Sequence, residues 1–163
     1  MTNLNRLAAL SLCLASAAAT AEAVRTEKNM SLELANQVAA AAVAACTTMG
    51  YNVTAAVVDR GGSLRALQRA DNAGPHSIAS AQAKAYTSAS TKTASLAVME
   101  AAQKNPGSAN LVHIPGLLLL GGGVPIKVGN EVIGAVGVGG APTGALDEQC
   151  AMAAVEKVKD MLK

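Results

Sequence analysis

The sequence predicts an α+β domain built on one antiparallel sheet, and three observations carry that expectation. Two β-prone pairs, 51–59 with 63–69 and 124–128 with 132–138, are each joined by a short glycine-containing turn, Gly61-Gly62 in the first and Gly129-Asn130 in the second. Runs of helical period precede, separate and follow the pairs. The order helix, hairpin, helices, hairpin, helix lacks the strand–helix–strand alternation of a doubly wound fold, and it places the first and last helices together on one side of a single sheet. The chain is organised around Leu117–Pro142, a glycine-rich stretch whose second strand carries Gly134 and Gly137 in its interior. Glycine there weakens a strand unless another backbone or a ligand must come close. Spacing favours close packing of an alanine-rich helix, with a slot for something flat as the other reading.

Taken in order, residues 1–23 read as a secretory signal peptide. Arg6 gives a positive start, Leu7–Ala19 is an apolar run of 13 residues, and Ala21-Glu22-Ala23 is a small-x-small cleavage site ahead of Val24. Cys13 lies inside that run and follows bulky Leu12, so it belongs to the discarded peptide rather than to a lipid anchor. Ser31 is an N-cap for a helix with the stripe Leu34, Val38, Ala42, Ala45 and Met49, closed by Gly50. The first hairpin follows, with Asp59 and Arg60 at its tip. Asp71–Pro75 leads into a helix over His76–Ser90, with Pro75 in its first turn. Ser77, Ser80, Lys84, Thr87 and Ser88 line one side of that helix, where they form either a solvated face or a cradle for a carboxylate or phosphate. A further helix spans Thr93–Lys104, and Asn105-Pro106-Gly107 ends it. Ser108–Gly116 reads as a loop. After the second hairpin, Pro142-Thr143-Gly144 opens the last helix, with Asp147 and Glu148 in its first turn and Leu146, Cys150, Ala154, Val158 and Leu162 as its inner stripe.

Removing 23 of the 163 residues leaves 140, the size of one domain, 24–163, long enough to bury a core without staples. The exported chain keeps a net charge of +2, since one Arg and one Glu leave with the leader. That charge is too small and too dispersed for a nucleic-acid surface, and aromatic residues for stacking on bases are lacking. Lys127 and Glu131 interrupt the longest apolar stretch, which excludes a membrane span in the mature chain. The core must come from Ala, Val, Leu, Ile and Met, because Phe and Trp are absent. Cys46 and Cys150 sit on the apolar sides of the first and last helices. They form either one bridge or two buried thiols, and mid-helix pairs seldom meet disulfide geometry. No phosphate-binding loop, His-x-x-x-His, Cys-x-x-Cys or Gly-x-Ser-x-Gly occurs.

The segments Val58–Leu64, Arg69–Ala73, Ala83–Thr87, Ile114–Gly116, Gly122–Ile126 and Ile133–Val138, extended by Gly140–Pro142 and Leu146–Gln149, resemble the HbpS/GlcG family of haem-binding or haem-degrading domains, also found joined to corrinoid adenosyltransferases. The resemblance implies a profilin-like, five-stranded antiparallel sheet with helices on both faces, and a homo-oligomer. It puts the ligand pocket near the polar helix and the loop before the second hairpin, gathering Lys84, Thr87, His113, Ile114, Pro115 and Gly116. The ligand implied is haem, or a corrinoid. Haem needs an apolar slot, an axial donor and cations for its propionates. Leu117–Leu120 offer an apolar wall but no donor. His113 and His76 are the only histidines, Met99 and Met49 the alternative axial donors, and Arg60, Arg69 and Lys84 the candidate cations. Two readings follow: a periplasmic or secreted protein that binds, senses or degrades haem, and an enzyme acting on a small molecule with His113 as acid/base and Lys84 or Arg60 holding a carboxylate.

Overall fold

The structure, a computed structural model, describes residues 23–163. The leader expected over 1–23 therefore lies, apart from Ala23, outside the described residues. Helix α1 (Leu32–Thr48) begins where Ser31 Oγ accepts a hydrogen bond from Leu34 N at 3.1 Å. It ends at Gly50, whose φ of +81° is the left-handed conformation that stops a helix. Strands β1 (Thr54–Asp59) and β2 (Leu64–Arg69) form the first hairpin. Its tip is held by Asp59 Oδ1, which accepts from Gly61 N at 2.9 Å and Ser63 N at 3.0 Å. Helix α2 (His76–Thr91) and helix α3 (Ser95–Lys104) follow. Then come β3 (Gly123–Val128), β4 (Glu131–Gly139) and helix α4 (Gly144–Lys157), the last capped by Thr143.

All four strands lie in one antiparallel sheet of order β2-β1-β4-β3. The two hairpins recognised in the sequence supply every strand, so the expected fifth is absent among the described residues. The segment before α1 comes nearest to adding one, where Met30 N donates to Ile133 O at 3.1 Å. A single bridging bond is not a ladder. The segment expected as a loop over 108–116 is in part a 3-10 turn, Pro106–His113. Asn105 starts it by accepting from Gly107 N at 2.9 Å, with Pro106 in the first turn.

Helices α1 and α4 share one face of the sheet. Leu34, Ala35, Val38, Ala39, Ala42 and Cys46 of α1 pack with Cys150, Ala151 and Ala154 of α4 onto Val57, Ile126, Val136 and Val138. Cys46 and Cys150 form a disulfide, with Cα atoms 5.3 Å apart. The two helices approach closely because alanines line both, which brings mid-helix cysteines within bridging range.

On the opposite face α2 crosses β1, β4 and β3. Here the glycines of the central stretch are used. A Cβ on Gly137 would overlap the Ala81 carbonyl, and one on Gly123 the Lys84 carbonyl. A Cβ on Gly139 would lie 2.5 Å from Ser80 Oγ. The glycine-thinned strands thus let α2 lie almost on the sheet backbone, and they leave no slot there for a flat ligand.

Candidate ligand-binding site

Helix α2 is inverted relative to an ordinary amphipathic helix. Ser77, Ala81, Lys84, Ala85, Ser88 and Ala89 face inward at helical spacing, whereas Ile78 and Tyr86 stand partly in solvent. The inward polar atoms are all satisfied, and no buried side-chain nitrogen or oxygen among the described residues lacks a partner. Thr54 Oγ1 and Ser77 Oγ lie 2.7 Å apart. Ser88 Oγ donates to Thr93 O at 2.9 Å. Thr87 Oγ1 accepts from Leu118 N at 2.8 Å, which pins the segment before β3 against the helix.

Lys84 is 2 % exposed. Its Nζ donates to Asp147 Oδ2 at 2.6 Å and to Val138 O at 3.0 Å. Asp147 Oδ1 also accepts from Ala141 N at 3.0 Å. Burial pushes the Asp147 carboxyl above its ordinary value, against the opposing pull of the Lys84 ammonium. Beside it, Glu148 Oε2 accepts from Gly122 N at 3.3 Å and Leu96 N at 3.4 Å. Neither the solvated face nor the ligand cradle expected for Lys84 is formed, because its charge is consumed inside the fold.

The surface that remains open lies on the outer side of α2. The Tyr86 ring sits between Gly62 of the first hairpin and Gly116 of the loop before β3. A Cβ on Gly62 would meet Tyr86 Cδ2 at 2.7 Å, and one on Gly116 would meet Cε1 at 3.0 Å, on the other edge of the ring. Both glycines have positive φ, +84° and +88°, so the backbone itself is shaped to admit the ring. Ala79, Gln82 and Ala83 extend this shelf along the helix, and the depression holds about 270 Å³. His113, exposed at the end of the 3-10 turn, stands three residues before Gly116, the residue of this segment that lines the depression. Leu117, Leu118 and Leu119 are half-buried and only Leu120 is exposed, so the expected wall of four leucines is largely folded inward.

The other expected residues are dispersed. His76 stands at the start of α2, with its ring over Gly74, about 15 Å of helix from Tyr86. Arg69 is spent on the Ala73 carbonyl in the turn that follows β2. Arg60 lies at the opposite end of that hairpin, about 20 Å away along the strand. There its Nε is 3.3 Å from Glu27 and its Nη1 is 3.8 Å from Glu131. The structure therefore brings Gly116 against Tyr86, with His113 and Pro115 in the segment that leads to it, turns Thr87 inward to Leu118, places Arg60 on the adjoining hairpin tip, and leaves His76, Arg69 and Lys84 elsewhere. Tyr86 was not among the site residues expected from sequence. Its signal was being one of two aromatics in the chain, set among alanines and facing two distant glycines.

Among the described residues no three of His, Cys, Asp or Glu converge to hold a metal ion. Haem iron asks less of the protein, a single axial donor. An aromatic shelf lined by small side chains, with an exposed imidazole in the segment before it and Arg60 on the adjoining hairpin tip, fits a tetrapyrrole held by one face.

The profile of the family described as haem degrading protein HbpS-like matches residues 30–156. Protein GlcG of Escherichia coli strain K12 is 37% identical over 115 residues, 71% of this chain and 84% of that protein. A crystal structure of a Streptomyces reticuli HbpS double mutant superposes with a TM-score of 0.79 at 37% identity, over 86% of this chain and 94% of that one. The PduOC–haem complex, at 23% identity and a TM-score of 0.70 over 78% and 94% of the two chains, shares the fold.

Proposed function

The chain belongs to the HbpS-like family of haem-degrading proteins, and from that premise we propose that it is an exported protein that binds haem or a related tetrapyrrole such as a corrinoid. The observation that carries the reading is the Tyr86 shelf, a flat aromatic surface framed by two glycines that admit no side chain of their own. Tyr86 and the small side chains of Ala79 and Ala83 would hold the macrocycle by stacking. His113, held by the turn that ends in Pro115-Gly116, would be the residue to ligate the metal. Arg60, on the adjoining hairpin tip, would be the cation for a propionate. Thr87 takes no part in contact and positions the rim by holding Leu118. Bound haem would supply the redox chemistry needed for degradation in the presence of peroxide. The depression of about 270 Å³ is just below the usual size of ligand sites, so it would hold a macrocycle by one face and not enclose it. In the periplasm or outside the cell, as a homo-oligomer, such a protein would sequester or sense the ligand, or break it down.

Titration with hemin tests this. The native protein should shift the Soret band, Tyr86→Ala should weaken binding, and His113→Ala should alter the ligand-field bands. Binding with an unchanged spectrum in His113→Ala would move the axial role elsewhere. No Soret shift in the native protein overturns the reading and leaves His113 to be tested as the acid/base of a small-molecule enzyme.

A further inference from the structure

A second cleft, of about 260 Å³, opens where the tip of the first hairpin, the C-terminal end of α2 and the β3–β4 turn meet. Arg25, Arg60, Lys92, Asn130 and Glu131 line it. Arg60 is fixed in place on three sides. Its Nη1 donates to Lys28 O at 3.0 Å, its backbone N to Asn29 Oδ1 at 3.1 Å, and its Nε pairs with Glu27. Arg25 pairs with the same Glu27 at 3.2 Å. Three cations therefore meet two carboxylates, and Lys92 forms no ion pair among the described residues.

Lys92 is also one of two non-glycine residues with positive φ among the described residues, at φ 57° and ψ 24°, directly after α2. Glycine is the usual occupant of that conformation, because a Cβ is disfavoured there. A lysine at a helix C-terminus complements the helix dipole wherever it stands. Here the same position also makes its side chain part of the wall of a cleft that already holds a fixed guanidinium.

We propose that this cleft binds a carboxylate, with Lys92 as the charge that the ligand completes and Arg60 and Asn130 as further donors. The carboxylate is either that of a free small acid or the propionate arm of a tetrapyrrole on the adjoining shelf. The second source rests on the function proposed above. The two clefts are neighbours, since Tyr86 and Ala89 are about 4.5 Å apart along α2 and Arg60 is two residues from Gly62.

The variant Lys92→Gly tests this without threatening the fold, because glycine suits the local backbone, and its thermal midpoint should equal or exceed that of the native chain. Hemin, hemin dimethyl ester and succinate are titrated against both proteins, with optical spectra for the first two and amide shifts of Asn130 and Glu131 for the third. If the propionate is the ligand, hemin binds Lys92→Gly about tenfold more weakly, as one charge-assisted hydrogen bond predicts, and the ester binds both proteins equally. If a free acid is the ligand, succinate shifts the amides of the native protein and not of Lys92→Gly, whether or not hemin binds. Failure of hemin alone then removes the tetrapyrrole reading and leaves the cleft standing. Equal responses of the two proteins to hemin and to succinate overturn the proposal.

Discussion

Lys84 and Asp147 show how far one residue's meaning depends on what lies above it. Both side chains are almost fully buried, and Nζ reaches Oδ2 at 2.6 Å. Together they tie α2 to the start of α4 and to the end of β4 through Val138 O. A buried pair adds little over apolar packing, but losing one partner strands a charge. Lys84→Met should therefore cost about 3–5 kcal/mol in urea denaturation, and a Lys84→Met/Asp147→Leu double variant should recover much of it. The pH dependence has a definite sign. Because the folded-state pKa of Asp147 is raised by burial, its linked contribution to stability is complete below the ordinary carboxylate value and is lost as the pH rises through the raised one. The stability advantage of the native protein over Asp147→Asn should thus widen on acidification from pH 7 toward pH 4. An advantage that shrinks with acid would mean the ammonium outweighs burial.

At the level of elements, helix α2 and the central glycines explain each other. The helix lies close enough that its inward face admits only Ser, Ala and Thr, along with a lysine that runs out to a carboxylate at the sheet end. Gly137→Ala should cost about 3 kcal/mol or more, since its methyl would fall on the Ala81 carbonyl, which is backbone and cannot rotate away. Gly129→Ala, with no atom within 4 Å but a φ of +60°, should cost only about 1–2 kcal/mol through backbone strain. Equal losses in the two variants would refute close packing as the reason for Gly137. Four strands, four helices and the glycine packing were legible in the sequence because periodicity, capping residues and turns are local signals. The direction of α2 was not. Its face of Ser77, Lys84, Thr87 and Ser88 reads as solvated by polarity, and only the nearness of Val138 O, Asp147 and Leu118 reverses that. The fifth strand came from resemblance, not from any β-prone segment. Tyr86 escaped attention for a related reason, since Gly62 and Gly116 meet it only in three dimensions.

On the scale of the whole molecule, the disulfide joins residues 104 apart in sequence and so ties α1 to α4 across nearly the full described chain. The core beneath it is largely Ala and Val, small side chains that each remove little apolar area from water. A covalent tie over so long a loop matters more to such a core than to one rich in aromatics, and removing it should cost about 2–5 kcal/mol. Disulfides form and persist in oxidising compartments, the setting proposed for this chain. The outer faces of α1 and α4 present Ala40, Ala41, Ala44 and Ala153 around shallow grooves, surfaces on which a second copy of the chain can pack closely. Protein recovered from the periplasm should therefore show an intact mass beginning at or near Val24, two hydrogens lighter than the reduced chain. It should resist thiol reagents until reduced, and light scattering should give a multiple of the single-chain mass. Reduction should lower its urea midpoint, and Cys46→Ala/Cys150→Ala should lower it comparably with no further effect of reductant. A chain that keeps residues 1–23, or one whose stability is indifferent to reductant while its thiols stay masked, would count against an exported, cross-linked molecule.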